Sequence, residues 1–444
     1  VEIDKTGRLA TMRRMRTKAN RLPSLPIPLV FAAAAIAVGC SVSRQGSVTA
    51  LRTDVATKPD DGNNPKGFPI GHCAAVLEQF RDRQLPGLEQ ATAGKTNILG
   101  AGCIDTGSGS LEIIVVGDTP PDEKIPDFPY DDGKGGKADE RFPVRWTEGT
   151  AGRVACASNP ALNGPPQGPA GAPASRAANP PPIYCGTSAQ GDRVAKEGTA
   201  GLNIIFNRTA VCIGNAHVMV LKKSPAAPGM PSTPPAAAVT LGGDAGAGTL
   251  FGYKPVTFAD ADPNALNVWD LALAKYLSPA QALGQMRPCP KMTYCYPAGF
   301  AASGSVSTGQ GAHYTGAASC ADDLGLVLGA FFPVVQMPEN NVNKTVKFAT
   351  QILFSNTTLD RDSGAVIVRN SDNCVLGLHA GDCTYTDQQG HAKHGNYANP
   401  LYRAPWTVDS DATIPNPNHL LMFKAAQGHD LPYPDLFDNT LKSW

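Results

Sequence analysis

A mainly β fold, preceded by one small α/β unit, is what this 444-residue sequence predicts. Its 46 Gly and 39 Pro interrupt the chain at short intervals, which favours short strands and many turns over long helices. Hydrophobic residues make up 42% and charged residues only 17%, so the strands have apolar material to bury. The chain also exceeds the roughly 250 to 300 residues over which one hydrophobic core usually grows, so two or more domains are expected. Lys plus Arg and Asp plus Glu both total 38, leaving no field of one sign to recruit an acidic polymer; a nucleic-acid partner is not expected.

From the first residue onward, residues 1–40 read as an export signal. Arg13, Arg14, Arg16, Lys18 and Arg21 form a basic region, and Leu29 to Val38 form an apolar run too short to span a bilayer comfortably. Ala37-Val38-Gly39-Cys40 resembles the lipobox of bacterial lipoproteins, which implies acylation of Cys40 and a membrane contact through that lipid. An ordinary secretory signal or an uncleaved anchor would carry similar residues. Either way the expected location is outside the cytoplasm, in a bacterial cell envelope or secreted. Setting Cys40 aside, ten of the 11 cysteines remain, an even set suited to disulfides in an oxidising space. Cys374 with Cys383, Cys289 with Cys295, and Cys73 with Cys103 are the local pairs to test first.

Residues 41–71 are polar and lack a hydrophobic period, as a flexible tether would. Residues 72–150 form the α/β unit. Val76, Leu77, Phe80 and Leu85 place a short amphipathic helix over Ala74 to Leu85, stopped by Pro86-Gly87. The apolar runs Asn97 to Ile104 and Leu111 to Val116 flank Asp105-Thr-Gly-Ser-Gly109 as a β-hairpin. Pro, Gly and Ala dominate the linker at 151–185. A β domain is then expected over 186–430, followed by a tail at 431–444. Within it Leu202 to Phe206 and Ala210 to Ile213 read as strands, and Ser224 to Gly248 reads as a long loop.

Three segments of this β domain supply the parts of nucleophilic acyl transfer, which needs a base at a hydroxyl, a carboxylate orienting that base, and donors for an oxyanion. Asn215-Ala-His217-Val closes a strand with a histidine. Val268-Trp-Asp270 opens the apolar run Leu-Ala-Leu-Ala with an acid, and Asp260 and Asp262 compete with it from a nearby loop. Asp362-Ser363-Gly364 puts a serine at a tight turn before Ala-Val-Ile-Val368. Neither a metal nor an organic cofactor is required by this chemistry. His391 and His394 are close in sequence but have no third ligand at suitable spacing, so no metal site is expected.

In the order His, Asp, Ser, and with Gly198-Thr-Ala-Gly201, Gln351-Ile-Leu-Phe354, Gly377-Leu-His-Ala-Gly381 and Asn396-Tyr-Ala-Asn-Pro400 around them, the segments resemble the trypsin-like serine peptidases. The likeness is to a bacterial branch that carries a small α/β domain ahead of the barrels, and it covers about Ala74 to Asp411. It implies a chymotrypsin-like double six-stranded β-barrel and an endopeptidase acting on protein or peptide substrates. It also implies a catalytic triad of His217, Asp270 and Ser363 and an oxyanion hole at the N–H groups of Arg361 and Ser363. A specificity pocket would be lined by His379, Ala380 and Gly381. Some glutamate- and glutamine-selective relatives have a histidine where His379 stands; a histidine packed into the barrel core is the other reading. A Cys374–Cys383 bridge would pin this wall.

One residue departs from the pattern. The family has glycine before Asp-Ser-Gly, where the backbone takes an unusual conformation to aim its N–H, and this chain has Arg361. A side chain there costs about 1–2 kcal/mol in the left-handed region. That cost keeps a second expectation open, of a catalytically weak or inactive protease-fold surface lipoprotein that binds a partner.

Overall fold

The structure is a computed structural model. It describes residues 67–133, 140–149, 182–191, 197–220, 238–254, 256–287, 295–319, 325–339, 342–355, 358–359, 361–403, 406–409 and 416–425. The signal with Cys40, nearly all of the tether and linker, Cys289 and the C-terminal tail lie outside these residues.

Helix α1 (Ile70–Arg83) buries Cys73, Val76, Leu77 and Phe80, one stripe at helical spacing, against the hairpin β1 (Ile98–Asp105) and β2 (Leu111–Gly117). Pro86 does not end helical structure, as the sequence reading had it. A second helix, α2 (Leu85–Ala91), starts there with Pro86 in its first turn, where the missing N–H would have had no partner in any case. Strands β3 (Phe128–Tyr130) and β4 (Glu140–Phe142) form a small ribbon, and β5 (Val144–Glu148) runs parallel to β2. Phe80 meets Phe128 edge-on at 5.5 Å to close this core.

After the short β6 (Ile183–Cys185) come β7 (Thr187–Gly191), β8 (Gly198–Ala200), β9 (Leu202–Phe206) and β10 (Thr209–Gly214). Next are the one-turn helix α3 (Ala216–Met219) and strands β11 (Ala238–Leu241), β12 (Asp244–Tyr253), β13 (Ala272–Tyr276) and β14 (Ala282–Met286). Only Gly201 separates β8 from β9, so the two act as one strand that pairs with β7 at one end and β10 at the other. The ladder continues from β10 through β13, β12 and β11 back to β7, which closes a six-stranded barrel. The later part of Ser224 to Gly248, expected as loop, is therefore the β11–β12 hairpin. Its turn uses Gly242 and Gly243 at φ 61° and 83°, the paired positive values of a type I′ turn.

The second half contains β15 (Gly299–Phe300), β16 (Gly311–Thr315), β17 (Gly325–Glu339), β18 (Val342–Lys347) and β19 (Gln351–Phe354). It continues with β20 (Val366–Arg369), β21 (Cys374–Thr386) and β22 (Ala392–Asn399). Here β16, β20, β21, β22, β19 and β17 pair in turn, and β17 returns to β16, closing a second barrel of six. With each barrel's strands counted in chain order, both follow the circuit 1-2-3-6-5-4. The fold is thus mainly β, a chymotrypsin-like double six-stranded barrel, as expected. Strand β1 pairs with β17, so the hairpin's sheet is continuous with the second barrel. Beyond Asn399 a 3-10 turn (Leu401–Arg403) leads to β23 (Trp406–Val408) and β24 (Leu421–Ala425), and β24 returns to pair with β9 of the first barrel.

Strands β9, β10 and β20 are buried along almost their whole length because they are covered on both faces. In β10 Ala210 and Cys212 face the first barrel's interior, while Val211 and Ile213 face a cluster shared with the second. In β20 Val366 and Val368 enter that shared cluster while Ile367 points into its own barrel. The shared cluster, with Leu202, Ile204, Trp269, Leu273, Val375 and Leu378, is the apolar seam between the barrels.

One expected disulfide is excluded. Cys374 and Cys383 lie on the same strand, β21, about 30 Å apart at ~3.3 Å per residue, whereas a bridge needs Cα atoms within about 7 Å. Cys73 and Cys103, by contrast, face each other between α1 and β1. The Cys103 thiol is pushed well up by its hydrogen bond with Cys73 and by burial.

Candidate active site

His217 sits in the single turn of α3, three residues past the end of β10 (217 − 214), where the sequence placed it at a strand end. Its backbone N–H donates to Asp270 Oδ1 at 3.1 Å, and its ring Nδ1 makes a short contact with Asp270 Oδ2. Asp270 precedes β13 and is gripped from the other barrel. Asn399, the last residue of β22, accepts the Asp270 N–H at 3.0 Å and donates its Nδ2 to the Asp270 carbonyl at 3.1 Å. His217 and Asp270 are 2% and 1% exposed, which removes water as a competitor for their hydrogen bonds. The competing acids are elsewhere: exposed Asp260 pairs with Lys344 at 3.0 Å, and Asp262 accepts the Asn264 N–H.

Ser363 occupies the turn that leads into β20. The turn is anchored by buried Asp362, whose Oδ1 accepts the N–H groups of Ala318 (3.0 Å) and Ser319 (2.9 Å). Its Oδ2 accepts the Leu359 N–H at 2.9 Å and the Ser319 hydroxyl at 2.5 Å. Gly364 follows at φ 95°, and a Cβ there would lie 2.4 Å from the Thr199 carbonyl, so only glycine fits. Its N–H donates to the His379 carbonyl at 2.8 Å, and the same carbonyl accepts Asn215 Nδ2 at 2.7 Å. One oxygen therefore ties the serine turn to the turn that carries His217. Ser363 Oγ and His217 Nε2 are both buried, and among the described residues neither has a hydrogen-bond partner. Burying such groups unpaired is costly, and orphans of this kind concentrate where chemistry or a ligand will use them.

Arg361 takes φ 86°, in the left-handed region that favours glycine, despite its side chain. Strand β8 steadies it. Thr199 donates its N–H to the Ser363 carbonyl at 2.8 Å and its hydroxyl to the Arg361 carbonyl at 2.8 Å, while Glu197 pairs with the Arg361 guanidinium.

On β21, His379 is 1% exposed. Its Nε2 lies 3.2 Å from Thr358 Oγ1, which donates to Asn396 Oδ1 at 2.7 Å, and its Nδ1 has no partner among the described residues. Burial lowers its pKa, and the carboxylates of Asp362 and Asp382 only partly oppose this, so the ring is neutral at neutral pH. Gly381 leaves room for Tyr397, whose hydroxyl would stand 2.3 Å from a Cβ. Ala380 turns its methyl into the cluster of Phe331, Leu353 and Tyr397, so only its backbone is free to line a pocket.

Asn399, Thr199, Thr358 and Glu197 were not legible as site residues. Thr199 and Asn399 lie inside the segments Gly198-Thr-Ala-Gly201 and Asn396-Tyr-Ala-Asn-Pro400, but no local pattern in the sequence marks the long-range bonds that any of the four makes. Among the described residues no group of three or more His, Cys, Asp or Glu could hold a metal ion.

No protein-family profile matches the chain, and no curated protein does. Among solved structures it is similar to a Nocardiopsis protease at 11% identity and TM-score 0.34, over 49% of this chain and 92% of that one. It is also similar to alpha-lytic protease homolog N4, at 18% identity and TM-score 0.33 over 49% and 93%. A third is Cellulomonas bogoriensis chymotrypsin, at 14% and 0.29 over 49% and 91%. The double barrel rests on its strand circuit, and the site on its hydrogen bonds.

Proposed function

We propose that this chain is an exported serine endopeptidase working through His217, Asp270 and Ser363. The observation that carries the reading is the Asp270–His217 pair, with His217 Nε2 and Ser363 Oγ buried and unpaired among the described residues, in turns tied by one carbonyl. In this reading His217 Nε2 takes the hydroxyl proton as Ser363 Oγ bonds to the carbonyl carbon of a peptide. The tetrahedral oxyanion is held by the N–H groups of Arg361 and Ser363. Collapse breaks the C–N bond, the leaving amine takes the proton from His217, and an acyl-enzyme remains. Water, deprotonated by the same ring, then releases the acid and restores the serine. Asp270 keeps the Nδ1 proton facing it throughout, so that Nε2 is the basic nitrogen.

The wall at His379, Ala380 and Gly381 is proposed to receive the substrate side chain before the cut. Lipid attachment at Cys40, with residence in a bacterial envelope, belongs to the same proposal and rests on the sequence.

A fluorophosphonate probe tests the core claim, because it marks only an activated serine. The wild type is expected to be labelled and Ser363→Ala not. Turnover of a peptide ester should fall by on the order of a million-fold in that variant, as for a triad that works as a unit. Equal labelling of both proteins would sink the assignment.

A further inference from the structure

We infer that Glu197 is a positioning residue: through the Arg361 guanidinium it latches the Arg361 backbone at positive φ and so keeps the oxyanion-hole N–H aimed at substrate. The inference rests on the triad reading above.

A residue with a Cβ at φ 86° is held against its own preference, and such a conformation persists only where the surroundings over-determine it. Relaxing φ to a negative value turns the preceding peptide plane over and swings the Arg361 N–H away from the place where an oxyanion forms. Glycine at this position would stay without help. Arginine needs restraint, and the restraints converge from one short segment. Thr199 holds the Ser363 and Arg361 carbonyls, each at 2.8 Å. Its hydroxyl is itself oriented by the Ala317 N–H at 2.8 Å. Two residues earlier, just ahead of β8, Glu197 pairs with the guanidinium. Thr199 fixes the carbonyl side of Arg361, and Glu197 fixes its side chain. Together they oppose a turn of the N–H side. The side chain that creates the strain thus also provides the handle that resists it.

The pair is half exposed, at 50% for the Arg361 side chain and 33% for that of Glu197, so its removal should be a modest and salt-sensitive effect. Glu197→Ala and the isosteric Glu197→Gln are expected to lower kcat on a peptide ester about three- to fivefold with KM unchanged, because the lost interaction belongs to the transition state. High salt should depress wild-type kcat toward the same level. Adding Arg361→Gly should rescue Glu197→Ala, since glycine holds the conformation unaided. If kcat is unchanged in both Glu197 variants, or the loss persists undiminished beside Arg361→Gly, the latch is overturned. Should the wild type neither hydrolyse the ester nor take up the fluorophosphonate, the enzyme reading fails separately. The crystal structure of Glu197→Ala then decides: negative φ at Arg361 upholds the latch and positive φ overturns it.

Discussion

Replacing Asp270 by Asn tests the division of labour in the site with the least disturbance of its shape. Asp270 Oδ1 accepts the His217 N–H at 3.1 Å, and an amide oxygen can continue that bond. The other carboxylate oxygen faces His217 Nδ1. An amide NH2 in its place must donate, so Nδ1 must accept and the single ring proton moves to Nε2. The nitrogen that should receive the Ser363 proton then already carries one. In a triad of this kind the wrong tautomer lowers kcat by about ten-thousand-fold, equivalent to ~5.5 kcal/mol of transition-state stabilisation. Folding should survive, because Asn399 holds Asp270 through its backbone N–H and carbonyl, which the substitution leaves intact. The measurement is kcat for a peptide ester, normalised by active-site titration, with a melting curve alongside. A folded Asp270→Asn protein that retains more than a tenth of wild-type kcat would refute the assigned role of the carboxylate.

Two further outcomes follow from bonds in the same fold. Asn399→Ala removes both bonds to Asp270 and leaves a buried N–H and carbonyl unpaired, so urea unfolding should show a loss of about 1–3 kcal/mol, with kcat reduced as well. Asp118 accepts from the Thr96 hydroxyl and from the N–H and side-chain amide of Asn97, which lower its carboxyl to about 2. Because its folded pKa lies below the unfolded value near ~3.9, its stabilising contribution is complete above that value and disappears as pH falls toward 2. Asp118→Asn should therefore flatten the acid limb of a melting-temperature profile between those limits; an unaltered slope would show that these bonds do not set it.

How much of this was visible in the sequence depends on range. His217, Asp270 and Ser363 stood out because each closes or opens an apolar run, and a run is a local signal. The β1–β2 hairpin and the Leu202–Phe206 strand were legible for the same reason. The β11–β12 hairpin was hidden because Ala, Gly and Thr strands, filled against a crowded barrel interior, have the composition of loop. Pro86 misled because proline stops a helix from within but starts one at its first turn. The Cys374–Cys383 pairing failed because sequence proximity says nothing about distance along an extended strand. Asn399 lies inside the segment Asn396-Tyr-Ala-Asn-Pro400, but its role could not be read there, since its partner is more than a hundred residues away and the bonds are to backbone.

The bonds that build the site share a property that explains why it lies on the seam. Asn399 of the second barrel grips Asp270 of the first, and Asn215 of the first donates to the His379 carbonyl of the second. Thr199 of the first holds the Ser363 and Arg361 carbonyls of the second. Each of these crosses between barrels. The apolar seam of Leu202, Val211, Ile213, Leu273, Val366 and Leu378 can bring the barrels together but, being non-directional, cannot choose between nearby registers. Buried hydrogen bonds can, because a shift of an ångström leaves donors and acceptors unpaired away from water. Docking energy and docking precision therefore come from different residues. The polar ties do not add much net stability; they convert an adhesive contact into the one arrangement in which the histidine's turn and the serine's turn share a single carbonyl oxygen.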